Sequence, residues 1–67
     1  MFYTIKNHCF DLKSVRNVFV DLNENKLHIY FKYESDYSIT IHFNTPEVTR
    51  DWFNTLCFQL KEFAKGE

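Results

Sequence analysis

The chain has 67 residues, which makes it a single small domain, too short for a doubly wound nucleotide-binding fold or an α/β barrel. With 45% hydrophobic and 19% aromatic residues and a formal net charge of −1, it has the composition of a folded chain and not of a disordered one. Eight Lys+Arg against nine Asp+Glu exclude the basic excess of a dedicated duplex-DNA binder and the acidic excess of a DNA mimic.

Phe2–Ile5 reads as a short first strand, and Asn7–Ser14 as an irregular stretch anchored by Phe10 and Leu12. From Val15 to Leu22 the residues alternate, with Val18, Val20 and Leu22 on one face and Asn17, Phe19 and Asp21 on the other. Asn23-Glu24-Asn25-Lys26 is the expected turn. Leu27–Tyr33 and Tyr37–Phe43 alternate most strictly: Leu27, Ile29, Phe31, Tyr33 and Tyr37, Ile39, Ile41, Phe43 form an apolar face. His28, Tyr30, Lys32 and Ser38, Thr40, His42 fall on the other. This is the pattern of two antiparallel strands with one solvated side, joined by Glu34-Ser35-Asp36, where Asp36 is the residue expected to turn left-handed.

The last third changes period. Thr45-Pro46-Glu47 predicts a helix start, with Thr45 as N-cap, Pro46 in the first turn and Glu47 beside the positive end of the helix dipole. Val48, Trp52, Phe53, Leu56, Leu60, Phe63 and Ala64 share one helical face, and Gly66 marks the end. The expected fold is α+β: a four-stranded antiparallel β-meander followed by one C-terminal helix packed on one face, ββββα.

No run is long and apolar enough for a membrane-spanning helix, and the first residues lack the apolar core of a signal peptide. Two widely separated cysteines, Cys9 and Cys57, make no disulfide framework, so free thiols and a cytoplasmic setting are expected.

The segment Ile39-Thr40-Ile41-His42-Phe43-Asn44-Thr45-Pro46-Glu47, followed by Trp52 and Leu56, resembles the end of pleckstrin-homology-type (PH-like) domains. There a last strand ending in Phe leads through a small-polar-acidic turn into a helix bearing a Trp and then a Leu. The resemblance runs from Leu27 to Leu56. A full domain of that type has more strands, in two sheets, than this chain has residues to build. Its phosphoinositide-binding basic loop has no counterpart here, since Lys6, Lys13 and Arg16 are scattered in sequence. The resemblance therefore implies a half-size relative used for protein contacts and not for lipid. The ββββα order is also similar to that of a family of single-strand-binding coactivators, dimers that lay bases on an open sheet.

Pairing Tyr33 with Tyr37 and Leu22 with Leu27 places Asp21, His28 and His42 in one row across the outer face. At cross-strand spacing, two imidazoles and a carboxylate are candidates for a divalent metal site, or for a pH-dependent contact surface. The same registers put Phe19 opposite Tyr30. Cys57 lies on the flank of the apolar helical face, Cys9 has only its chain neighbour His8, and the lone Gly66 allows no phosphate-cradling loop. No catalytic residue and no cofactor are expected. Phe58 stands opposite the apolar stripe among Asp51, Asn54, Glu62 and Lys65, where an aromatic suits an interface across a two-fold axis.

The expected function is a non-enzymatic protein-interaction module: a small adaptor or stoichiometric inhibitor that occludes a surface of a larger protein, with homodimerisation covering one patch. Size, absence of a catalytic motif and aromatic content are similar to those of small phage-encoded proteins that block host defence. Contact residues are Phe19, Tyr30, His28 and His42 on the sheet and Phe58 on the helix. The alternative is a homodimer binding single-stranded nucleic acid on the same face, with Phe19 and Tyr30 stacking bases and Arg16 and Lys32 meeting phosphates.

Overall fold

The computed structural model describes residues 1–32 and 37–66. Over the described residues it is α+β, with five strands and one long helix: β1 Phe2–Ile5, β2 His8–Asp11, β3 Val15–Asp21, β4 Lys26–Phe31, β5 Ser38–His42 and α1 Pro46–Lys65. The strands form two antiparallel sheets, β1-β2 and β3-β4-β5, in place of the expected four-stranded meander.

The added strand is β2, within the stretch expected to be irregular. Lys6 takes a φ of 54°, a left-handed conformation rare for a side chain other than Asn, Asp or Gly, and this closes the tight turn between Ile5 and His8. Four residues are too few to show a period. After β2, Asp11 caps a single 3-10 turn at Leu12–Ser14 by accepting the Lys13 amide.

Both expected registers are displaced by two residues. Asp21 pairs with Lys26 and Val20 with Leu27, while His28 pairs with Thr40 and Lys26 with His42. The cause in the first hairpin is turn chemistry. The Asp21 carboxylate accepts the Asn23 and Glu24 amides at 3.0 and 3.2 Å, and Asn25 takes a φ of 56°. The loop therefore spans Leu22–Asn25, not Asn23–Lys26. The Tyr33–Tyr37 pairing and the Asp36 turn lie outside the described residues. A slip of two preserves the side-chain period, so inner and outer faces stay as read.

A bulge separates Val15, paired with Phe31, from Asn17, paired with Tyr30. The extra residue reverses the alternation, so Val15 and Val18 both face the core while Arg16 and Asn17 are exposed.

The core gathers Ile5, Phe10 and Leu12 from the N-terminal hairpin and 3-10 turn with Val15, Leu27, Ile29, Phe31, Ile39, Ile41, Phe43 and Leu56. Phe10 meets the edge of Phe31 at 5.9 Å. Thr45 caps α1 as expected, its Oγ1 accepting the Val48 amide at 3.2 Å, and Pro46 opens the first turn. The buried stripe keeps its expected direction but differs in membership at its centre and edges. Thr49 is fully buried, with its hydroxyl donating to the Thr45 carbonyl at 2.7 Å, whereas Val48 is 42% exposed and Ala64 is exposed. Thr49, Trp52, Phe53, Leu56, Leu60 and Phe63 form the face toward the core. Among the described residues, no helix is long and apolar enough to cross a membrane.

Candidate functional site

The helix covers one side of the three-stranded sheet, and the side chains directed away from it form an outer face. Phe19 on β3 is 54% exposed although aromatic, and Tyr30 on β4 is half-buried beside it. Their rings meet edge to face, with centroids 5.6 Å apart and planes at 88°. The displaced register makes this a diagonal pair, since Phe19 lies directly opposite His28. His28 bridges onward: its Nδ1 stands 3.1 Å from Thr40 Oγ1 on β5. Phe19, His28 and Tyr30, with Val20, Asp21 and Leu22, line an open depression of 610 Å³.

The bulge equips this face with a cation. It turns Arg16 outward beside Asn17, whose Oδ1 accepts from Arg16 Nε at 3.2 Å. The Arg16 guanidinium lies 5.9 Å from the Tyr30 ring centre.

The row of Asp21, His28 and His42 does not form. Asp21 lies opposite Lys26, His28 opposite Thr40, and His42 opposite Lys26 at the strand end. Two register shifts of two residues dissolve it, and the Asp21 carboxylate is occupied by the amides of its own turn. Among the described residues, no group of three or more His, Cys, Asp or Glu is placed to hold a metal ion.

The five expected contact residues divide. Phe19, Tyr30 and His28 come together; His42 is exposed at the far end of β5; Phe58 is 58% exposed on the helix, on the side away from the sheet. Burial pushes the Cys57 thiol above its ordinary 9.0, against a smaller opposing pull from Lys61. A thiol shifted in this direction is a poorer nucleophile than a free one. Cys9 is exposed, and neither cysteine is disulfide-bonded.

No family model matches the chain, and no curated protein or solved structure shows significant similarity to it. The functional reading therefore rests on the geometry of this surface.

Proposed function

We propose that this chain is a non-enzymatic protein-interaction module, an adaptor or stoichiometric inhibitor that covers a surface of a larger protein with the outer face of its sheet. The observation that carries the reading is the exposed Phe19 ring, held upright by Tyr30 at the rim of the 610 Å³ depression. Exposed aromatics with a polar surround are the anchors of protein interfaces. His28 and Thr40 extend the surface with paired polar groups, and His42 lies at its margin. Phe58 is a second anchor on the opposite side, suited to a second copy of the chain. Action on a host defence protein is one setting in which so small an occluding module would serve.

Single-stranded nucleic acid is the competing occupant. Phe19, Tyr30 and Arg16 have the right chemistry for it. The two rings stand perpendicular, however, and so do not offer the parallel faces on which successive bases stack.

Affinity capture from lysate, with and without nuclease, tests the proposal when run beside the Phe19→Ser variant. A dominant protein that survives nuclease and is lost with Phe19→Ser supports it. Material that disappears on nuclease treatment, or a partner indifferent to Phe19→Ser, overturns it. For Phe58, the expected result is that Phe58→Ser lowers the mass measured in solution; an unchanged mass refutes pairing through that residue.

A further inference from the structure

A second cleft, of 190 Å³, lies at the end of β3 and β4 away from the Leu22–Asn25 turn. The Ser14 carbonyl accepts the Lys32 amide at 2.8 Å, which joins the 3-10 turn to the end of β4. The last turns of α1 close over this corner. Leu12, Val15, Leu60 and Phe63 make an apolar lining, and Lys13, Arg16 and Lys32 stand around it, all exposed. Lys32 is thereby brought beside Lys13 and Arg16 on one small opening.

Among the described residues, no carboxylate lines the cleft, and none forms an ion pair with Lys13, Arg16 or Lys32. Glu62, on the same stretch of α1, pairs with Lys65 at 3.6 Å. The three share one opening, so their positive charge favours an arriving anion there. The chain as a whole carries −1, so this concentration of positive charge is local. Small-molecule sites usually enclose about 300–1,000 Å³, so 190 Å³ has room for one side chain and not for a whole cofactor.

From this combination we infer that the cleft takes an acidic–apolar segment of a protein partner: one apolar side chain on the Leu12–Phe63 lining, with flanking carboxylates on Lys13, Arg16 and Lys32. The nature of this occupant rests on the protein-interaction reading above. Arg16 joins the two surfaces, because it borders the cleft and also lies over Tyr30. A nucleic acid is the less suited occupant, since a polyanion extends past the three cations over a chain that is net acidic.

The test is an amide NMR titration of the full chain with the blocked peptide acetyl-Glu-Leu-Glu-amide. The expected result is salt-sensitive shifts at Lys13, Arg16, Lys32, Leu60 and Phe63. The double variant Lys13→Glu/Lys32→Glu should retain the dispersed spectrum of the fold and bind about tenfold or more weakly, because like charges then face the peptide. A lysine-flanked peptide should produce no shifts there. No shifts with the acidic peptide, equal shifts with the lysine peptide, or shifts only with octanoate or oligo-thymidylate each overturn the inference. Dependence on Phe19 is read separately by partner capture, so a silent cleft refutes this inference alone and leaves the outer-face reading standing.

Discussion

The Phe43 ring stacks on the Trp52 indole with centroids 6.3 Å apart and planes 18° apart, joining the residue after β5 to the second turn of α1. Lys6 completes the arrangement from the β1-β2 turn: its ammonium lies 4.9 Å from the Phe43 ring centre and donates to the His42 carbonyl at 2.5 Å. Three separate parts of the chain meet there.

Because Phe43 is buried in this stack, Phe43→Ala is expected to cost about 3–5 kcal/mol. Lys6 is exposed, so Lys6→Met should cost only about 0.5–1 kcal/mol through the lost cation–π contact. Urea unfolding of both variants checks the order. A Lys6→Met variant as damaged as Phe43→Ala would contradict it.

The membership of the buried helical stripe makes a pair of opposed predictions. Val48→Ser should change stability by no more than about 0.5 kcal/mol, since Val48 is exposed at the edge of the helical stripe. Thr49→Leu, which forces extra methylenes into a fully buried position, should cost about 1–3 kcal/mol. Thermal melts of the two variants decide between this face and the one expected from the apolar pattern.

Asp11 carries an acid-side dependence. Its carboxyl is held below the ordinary 3.8, first by the hydrogen bond from the Lys13 amide and further by the terminal ammonium of Met1, 3.3 Å away, while desolvation acts in the other direction. A depressed folded-state pKa contributes stability that is present above 3.8 and lost as pH falls through the folded value. Asp11→Asn is therefore expected to be less stable than the parent at neutral pH. The difference should shrink well below pH 3.8, as read by urea unfolding at the two pH values.

The two thiols should differ in reactivity. Cys9 is exposed, whereas Cys57 is half-buried with its pKa raised by that burial. A thiol reagent at mildly alkaline pH is expected to label Cys9 first, with Cys57 following only slowly. Mass spectrometry of the labelled peptides gives the order directly, and prior labelling of Cys57 would be inconsistent with this packing.

Much of this architecture was legible locally. Thr45-Pro46-Glu47 announces the helix because capping and proline act within one turn. Leu27, Ile29, Phe31, Ile39 and Ile41 mark the inner face because alternation survives any slip of two residues. For that reason Phe19 and Tyr30 were assignable to the outer face whatever the register, although the directly opposed pairing expected for them gives way to a diagonal contact.

What the tertiary structure alone decided were the features set by a few atoms or by distant partners. The Asp21 carboxylate and the left-handed Asn25 moved the first hairpin by two residues and dispersed the Asp21, His28 and His42 row. The bulge at Arg16 reversed an alternation that otherwise read as continuous. Thr49 is buried in the middle of the helical stripe because the Thr45 carbonyl satisfies its hydroxyl, a hydrogen bond that no hydropathy pattern carries, while Val48 at the stripe's edge stays exposed. The gathering of Lys13, Arg16 and Lys32 needed both the 3-10 turn and the strand pairing. Backbone preference and apolar period act over a few residues and are written along the chain. Register, the membership of the buried helical stripe and the meeting of charges from separate elements follow from which groups satisfy one another once the chain has folded.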